Sequence, residues 1–318
     1  MQFDFFRIRF HFKAVDTVRF GHGNSANTLR GAFGTVLREV ACTPQCGAAR
    51  HGAAEHRPEC AYARIFEPRA GRRNGPSGLA DWPRPFIFRT WHLDIQTLAP
   101  GEDFHFDIHL FDLQLPILYF AEALKRLATE GLGTRRGRAI LTCIEQLDID
   151  DRLVARVWNG EELSPLVAPS AALLEVEPCD AVRVRFVTPT ELKCGNRPME
   201  RPEFSVLFAR IRDRLSTLRT LYGPGPLEID FRGMGERAAR IQMTRCDLRA
   251  EHRVRRSSRT GQVHPWGGFT GEAAYQGDLA EFMPYLRVAK WTGVGRQTVW
   301  GKGEIAIAGS VDSSTRAV

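Results

Sequence analysis

The sequence lacks any hydrophobic run near the roughly 18 residues of a membrane-spanning helix, which excludes a protein built on such helices. Its first residues, MQFDFFRIRFHF, alternate in polarity and include Asp4, which is unlike a secretion signal. The seven cysteines are odd in number and form no dense framework. A disulfide-stapled secreted fold is therefore excluded, and a cytoplasmic location is expected.

Lysine is also scarce in this sequence. The chain has 5 lysines and 39 arginines, which together outnumber the 37 acidic residues and give 318 residues a net charge of +7. Arginine binds phosphates in a fork and stacks on bases better than lysine does, so the excess favours nucleic acid as a partner. A coding bias that replaces lysine with arginine throughout would give the same ratio.

The stretch TGVGRQTVWGKGEIAI, residues 292–307, fits neither common nucleotide-binding motif. A dinucleotide loop follows a strand and opens a helix, whereas here the order is reversed. A P-loop needs Ser or Thr after its lysine, and Lys302 is followed by Gly303. Because glycine lets a ligand approach the backbone and Arg296 adds a second cation, we predict a loop that binds phosphates. The alternative is a pair of β-turns beside a sheet edge.

Hydrophobic periodicity predicts two similar halves. The first has the order β-α-β-β-α-β, with elements at 6–15, 27–40, 85–91, 103–112, 115–131 and 140–150. The second repeats this order, with strands at 181–192, 246–258, 267–277 and TVWGKGEIAIA, and helices through Phe204–Leu218 and LAEFMPYLRVAKWTG. Asp278 would cap the last helix, although Pro284 lies inside it.

Two such units predict an α+β fold of two tandem ferredoxin-like (βαββαβ) domains, similar to RRM domains. The first would cover 1–160, with a Cys/His-containing insertion at about 42–80, and the second would cover 170–318 with the glycine-rich loop. Each half carries glycines and arginines before its last strand, in GLGTRRGRAI (131–140) and in 292–307. The repetition at one fold position strengthens the phosphate-binding interpretation.

Three segments, taken in order, resemble the CRISPR-associated repeat-processing endoribonucleases of the RAMP superfamily. They are NTLRGAFGTVLREVAC with CAYARIFEP, then GGFTGEAAYQGDLAEFMPYLRVAKWTGVG, and then the glycine loop. The family signature is G-x-G, five residues and G-x-G, which Gly293-Val294-Gly295 and Gly301-Lys302-Gly303 match. The resemblance covers nearly the whole chain.

The resemblance implies an antiviral-defence enzyme that binds the repeat of precursor CRISPR RNA and cleaves it without metal. The 2′-hydroxyl attacks the adjacent phosphate and leaves 2′,3′-cyclic phosphate and 5′-hydroxyl ends. It also implies that the protein stays on its RNA, with other subunits of an effector complex as further partners. The alternative is a RAMP-type subunit that binds RNA without cutting it.

The cleavage chemistry needs a base, an acid and cations, and histidine suits the first two roles because its pKa lies near neutrality. In the family the histidine usually lies on or near the first helix, but here that helix has none. His22 precedes it, and His51 and His56 follow it. Arg30 and Arg38 on the helix are candidates for the cationic role, or are simply solvated charges.

The segment CTPQCGAARHGAAEHRPEC suggests a different use for two of these histidines. Cys42, Cys46 and Cys60, with His51 or His56, could offer four zinc ligands, although the spacing is not that of a standard finger. Similar family members often carry cysteines here. A histidine that binds metal cannot also be the free base, and a zinc-stabilised scaffold acting through protein contacts is a further alternative.

RNA contacts are expected to be made mainly by arginines near the glycines and on one strand pair. A-form RNA is recognised largely through its backbone shape, which a basic hairpin suits. A solvated edge strand protected by its charge is the alternative. The predicted contacts are Arg135, Arg136, Arg138, Arg253, Arg255, Arg256, Arg259, Gly293, Gly295, Arg296, Gly301, Lys302 and Gly303.

Overall fold

The computed structural model describes residues 2–23, 25–42, 46, 56–57, 59–68, 82–173, 176–194, 197–256 and 263–308. The chain divides into two compact units. The N-terminal unit comprises Asp4–Ala171 and Val299–Gly301, and the C-terminal unit comprises Met1–Phe3, Ala172–Thr298 and Lys302–Val318.

The first sheet has the strand order of a ferredoxin-like domain. Its elements run β1 (Gln2–Ala14), β2 (Val18–Arg19), α1 (Ser25–Ala41), α2 (Ala61–Phe66), β3 (Phe86–Arg89), β4 (Thr97–Leu98), β5 (Asp103–Leu110), α3 (Ile117–Glu130), β6 (Ala139–Leu147), β7 (Leu153–Trp158) and β8 (Ser170–Leu173). The antiparallel order is β3-β5-β1-β6-β7, with β8 also paired to β1, while β2 pairs with β4. The path β1-α1-β3-β5-α3-β6 is therefore the predicted βαββαβ unit.

Alternation along β1 separates an aromatic face from a charged face. Phe10 and Phe12 are fully buried and share one core cluster with Phe33 of α1 and Phe120 of α3, whose rings stack 5.4 Å apart. The intervening residues, such as Arg9, lie on the other face, because successive side chains of a strand point to opposite sides. Burial of this one face against the helices fixes the strand register.

The second sheet repeats the topology. Its elements run β9 (Ala181–Thr190), β10 (Lys193–Cys194), β11 (Arg197–Pro198), α4 (Phe204–Tyr222), α5 (Phe231–Ala238), β12 (Gln242–Arg256), β13 (Val263–Gln276), α6 (Met283–Thr292) and β14 (Ile305–Ala308). The order β12-β13-β9-β14 is antiparallel throughout. Helices α4 and α6 meet through Phe208 and Phe282, whose rings lie 4.7 Å apart, edge to face.

Two details differ from the sequence-based expectation. Asp278 does not cap the last helix, because α6 begins at Met283 and Pro284 lies in its first turn. The missing N–H of proline costs little there, since the first-turn donors have no partner inside the helix. The sequence did not predict the short elements β2, α2, β4, β7, β8, β10, β11 and α5, because a periodic pattern this brief is hard to recognise.

No helix in the described parts of the chain combines the length and the hydropathy that crossing a membrane would need.

Candidate functional site

The glycine loop, residues 293–303, is packed against the protein's own backbone. A Cβ added to Gly295 would lie 2.5 Å from the Glu191 carbonyl oxygen, and one added to Gly303 would overlap the Val294 carbonyl oxygen. Both glycines have positive φ angles, 83° and 72°. Val294 is fully buried, and its N–H donates to the Gly303 carbonyl at 2.8 Å. The fold of the loop therefore accounts for these glycines without a ligand.

Lys302 points into the loop instead of toward solvent. Its side chain is fully buried, and its ammonium donates to the Gly267 carbonyl at 2.5 Å, to Gln297 at 2.9 Å and to Glu191 at 3.3 Å. Burial lowers the pKa of Lys302, whereas the negative charge of Glu191 acts in the opposite direction and raises it. Lys302 therefore forms an internal ion pair with Glu191, and its predicted contact with RNA stays a prediction.

Glu191 also binds the exposed cation of this loop. Arg296 donates to a Glu191 carboxylate oxygen at 2.7 Å, and its own side chain is 54% exposed. Burial raises the pKa of Glu191, but the hydrogen bond from Arg296 and the charge of Lys302 hold it below its usual value. No sequence signal identified Glu191, because it lies 105 residues from Arg296.

The arginine turn, residues 131–138, has the same kind of packing. A Cβ added to Gly133 would overlap the Arg19 carbonyl oxygen, to which the Thr134 N–H donates at 2.8 Å. Arg135 and Arg136 are exposed and form no ion pair with any residue that the structure describes. The glycines thus dock this turn on β2 and leave two exposed cations at its tip.

Arg138, at the end of the arginine turn, is engaged within the protein. Its guanidinium donates to Asp16 at 2.7 and 3.2 Å. The hydrogen bond from Arg138 lowers the pKa of Asp16, and the same hydrogen bond raises the pKa of Arg138. A phosphate would have to compete with this carboxylate.

The histidine turn, residues 21–23, lies beside the arginine turn. A Cβ added to Gly21 would lie 3.5 Å from the Thr134 methyl group, so exposed His22 is next to the turn that carries Arg135. Arg19, two residues before Gly21, is also exposed. The fold therefore places the turn that carries His22 beside the turn that carries Arg135 and Arg136, more than 100 residues away in sequence.

Helix α1 begins directly after the histidine turn. Its first residue is anchored, because the Ser25 N–H donates to the Asp94 carboxylate at 3.0 Å and its hydroxyl to the Thr90 carbonyl at 3.0 Å. Arg38 is exposed in the last turn. Arg30 is partly buried, and its guanidinium lies 4.4 Å from the centroid of the Phe66 ring.

A second cluster lies where α1 ends and α2 begins. The cysteine cluster comprises Cys42, Cys46, His56 and Cys60, whose possible ligand atoms all lie within 4.8 Å of one another. His56 Nδ1 lies 3.5 Å from the sulfurs of both Cys42 and Cys60, which are 3.9 Å apart. Burial, followed by the neighbouring thiols, raises the pKa of Cys42 to about 12.

The other nitrogen of His56 faces a carboxylate that the sequence did not indicate. His56 Nε2 lies 3.8 Å from Glu67, and the Tyr62 hydroxyl donates to the same carboxylate at 3.2 Å. His56 is thereby fixed among the thiols, with its side chain 6% exposed. This position is unlike that of a histidine that meets RNA from solvent.

Two family models match the chain. The first, AF_1859_N, described as an N-terminal domain, matches residues 3–171, which is more than half of the chain. The second, described as CRISPR-associated endoribonuclease Cas6, matches residues 184–305. The chain therefore carries a Cas6 family domain at residues 184–305. No curated protein matches the sequence.

Solved Cas6 structures share the fold. A Cas6 product complex has 18% identity and a TM-score of 0.56, over 96% of this chain and 99% of that one. A Thermus thermophilus Cas6 has 17% identity and a TM-score of 0.52, over 96% and 98%. A partial Cas6-RT-Cas1–Cas2 complex has 13% identity and a TM-score of 0.54, over 97% of this chain and 46% of that one. The predicted tandem ferredoxin-like fold is thus confirmed.

Several of the predicted site residues lie outside the described residues or have side chains that are not described. His51 and Arg259 are outside the described residues. The backbones of Arg253, Arg255 and Arg256 lie on β12, paired with Trp266, His264 and Val263 of β13, and their side chains are not described. This part of the strand pair extends past the last β9 partner, Phe269.

Proposed function

We propose that this chain, which carries a Cas6 family domain, binds the repeat of precursor CRISPR RNA and cleaves it once, between the histidine turn and the arginine turn. The observation that carries the proposal is the adjacency of these two turns. One turn carries the exposed imidazole of His22, and the other carries the exposed guanidinium groups of Arg135 and Arg136. An imidazole can move a proton at neutral pH, and guanidinium groups bind phosphate oxygens.

The proposed reaction is an internal transesterification. His22 accepts the proton of the 2′-hydroxyl while that oxygen bonds to phosphorus. The bond from phosphorus to the 5′-oxygen breaks, and a protonated group donates a proton to that oxygen. Arg135 and Arg136 stabilise the extra negative charge on the phosphate oxygens. The products are a 2′,3′-cyclic phosphate and a 5′-hydroxyl.

Arg30 and Arg38 stay candidates for further stabilisation of the charge on the phosphate. Of the two, the orientation of Arg30 is the more restricted, because it is partly buried and its guanidinium lies over the Phe66 ring, whereas Arg38 is exposed. His51 is the alternative base. His56 is assigned to the cysteine cluster and not to proton transfer, because its ring nitrogens face the thiols and Glu67.

We infer that the cysteine cluster holds a structural zinc ion. Zn–S bonds of about 2.3 Å and a Zn–N bond of about 2.0 Å at tetrahedral angles place two sulfurs about 3.8 Å apart and a sulfur and a nitrogen about 3.5 Å apart. The separations of 3.9, 3.5 and 3.5 Å among Cys42, His56 and Cys60 match these values. Glu67 would orient His56 from behind, as carboxylates commonly do for metal-bound histidines.

Cleavage itself is proposed to need no metal, because side chains supply the base and the cations. The zinc ion would have only protein ligands and no open position for a water molecule. Purified protein is expected to contain about one zinc per chain, and less than a tenth of an equivalent would contradict the zinc assignment.

The alternative function is RNA binding without cleavage. It is supported by the absence of histidine from α1 and by the position of His56 in the cysteine cluster. Such a subunit would act with other CRISPR proteins, which we also propose as partners of the active enzyme.

One assay separates the two functions. The zinc-loaded protein is incubated with its own repeat RNA in excess EDTA, and zinc retention is verified afterward. Cleavage to a 2′,3′-cyclic phosphate is expected, and a single 2′-deoxy nucleotide before the cut should abolish it. Intact RNA under these conditions would support the non-catalytic alternative, and cleavage of the 2′-deoxy substrate would rule out the proposed attack.

A further inference from the structure

We propose that a metal ion in the cysteine cluster fastens α2 onto α1 and thereby orients Arg30 through the ring of Phe66. The proposal rests on the proposed function in one respect, because Arg30 is a candidate cation for cleavage. Its other consequences, for the zinc content, the stability of α2 and the orientation of Arg30, do not depend on RNA cleavage.

The cysteine cluster connects the ends of two helices. Cys42 follows the last residue of α1, and Cys60 directly precedes the first residue of α2. Helix α2 has six residues, fewer than an isolated helix needs for stability in water. A metal bound to Cys42 and Cys60 would hold the start of α2 at the end of α1.

The far end of α2 places an aromatic ring on α1. The Phe66 ring lies so close to Gly34 that an added Cβ would overlap it. Arg30, one helical turn before Gly34, holds its guanidinium 4.4 Å from the ring centroid. The Arg84 guanidinium lies 4.9 Å from the same centroid, and its Nε donates to the Phe66 carbonyl at 2.6 Å.

These contacts form one continuous path from the metal ligands to Arg30. Because α2 is short, a shift at Cys60 moves Phe66, and Phe66 covers the Arg30 guanidinium. Cation–π attraction of this kind has a preferred geometry over the ring face, so the ring restricts where Arg30 points. In this proposal the Arg30 guanidinium binds the RNA phosphate, and Phe66 is a positioning residue that orients that guanidinium.

Core packing provides the competing explanation for the position of α2. Tyr62 and Ile65 are 3% and 0% exposed, so α2 buries apolar surface independently of any metal. If this packing alone holds α2, removal of zinc will leave Phe66 and Arg30 in place. The experiment must therefore measure zinc, the helix and Arg30 separately.

Phe66→Leu keeps all four metal ligands but removes the ring from Arg30. We expect it to retain about one zinc per chain and to lose the ring-current shift of the Arg30 Nε–H NMR signal. Its single-turnover cleavage rate should fall by the same factor as that of Arg30→Ala, roughly a hundredfold for a displaced catalytic group. Arg30→Ala added to Phe66→Leu should cause no further loss, because the two residues act on one path.

Phe120→Leu is the matched control. Phe120 is fully buried in the same aromatic core, where its ring contacts Phe33 and Phe86. We expect this variant to keep the Arg30 signal and a cleavage rate within about threefold of wild type. An equal loss in Phe120→Leu would assign the effect to general core damage and overturn the proposal.

Cys60→Ala tests the metal directly. It should release zinc, and the α2 amide of Arg64, which donates to the Cys60 carbonyl at 3.1 Å, should exchange with deuterium at least tenfold faster. A zinc-free variant with wild-type exchange and an unchanged Arg30 signal would overturn the proposal. If Cys60→Ala does not fold, the same two measurements are made on wild-type protein stripped of zinc, and wild-type exchange with an unchanged Arg30 signal there would overturn the proposal.

Failure of the proposed function gives a different result. If the wild-type, zinc-loaded protein leaves its repeat RNA intact, the cleavage proposal fails. The NMR signal and the exchange rates then still test the metal-dependent placement of Arg30.

Discussion

The ammonium group of Lys302, in the glycine loop, lies 3.3 Å from the carboxylate of Glu191, and Lys302 has no solvent exposure. Removing one partner of a buried pair leaves the other charge uncompensated. We expect Lys302→Met to lower the free energy of unfolding by about 3–5 kcal/mol, measured by urea denaturation. Arg296→Gln, which removes the exposed partner of the same carboxylate, should cost about 1 kcal/mol or less. Equal losses of unfolding free energy in the two variants would contradict the assignment of Lys302 to a buried ion pair and Arg296 to an exposed one.

Glycine substitutions test whether the loop glycines serve the fold. Gly303→Ala combines a positive φ with an overlap on Val294 and should destabilise the protein by about 2–4 kcal/mol in the same measurement. Gly101→Ala also has a positive φ but meets nothing within 4 Å, so its cost should be about 1 kcal/mol. Gly31→Ala in α1 should stabilise by about 0.5–1 kcal/mol. A Gly303→Ala variant as stable as wild type would contradict this role in the fold and favour the prediction that the glycine lets a phosphate approach the backbone.

The sequence predicted both βαββαβ units because the period-two pattern of phenylalanines in β1 and the helical spacing in α1 are local signals. It did not show what the glycines contact, since a ligand and a carbonyl such as that of Glu191 both require a missing Cβ. The choice between His51 and His56 also depended on the fold. His56 meets Cys42 only because the chain returns to the end of α1.

The pH dependence of stability should reveal His105 on the charged face of the first sheet. Burial, and then the charge of Arg9 and the ring of His92, lower the pKa of His105 to about 4. As the pH falls, His105 of the unfolded chain therefore takes up a proton near pH 6.5, while His105 of the folded protein takes one up only near pH 4. The stability due to His105 is complete above pH 6.5 and is lost as the pH falls toward 4.

His105→Gln should flatten this dependence. Urea midpoints between pH 7.5 and 4.5 are expected to fall less steeply for this variant than for wild type. Parallel curves for His105→Gln and wild type would show that another group is responsible.

Arg135 and Arg138 should differ in RNA binding although they lie in one turn. Arg135→Gln should lower the slope of log affinity against log salt by about one, as expected for one lost phosphate contact. Arg138→Gln should change the slope less, because Asp16 already engages that guanidinium. Filter binding at several salt concentrations measures both, and the reverse ranking would exclude Arg135 as the phosphate contact.

The central claim is that the histidine turn beside the arginine turn is the cleavage site. Its most direct test is the single-turnover rate constant of His22→Ala on the repeat RNA at saturating protein, with His51→Ala measured in parallel. We predict a rate at least about a hundredfold below wild type for His22→Ala, the usual contribution of a general base. RNA affinity should stay within about threefold, and His51→Ala should cleave normally. A normal rate for His22→Ala, with the loss appearing in His51→Ala, would contradict the account.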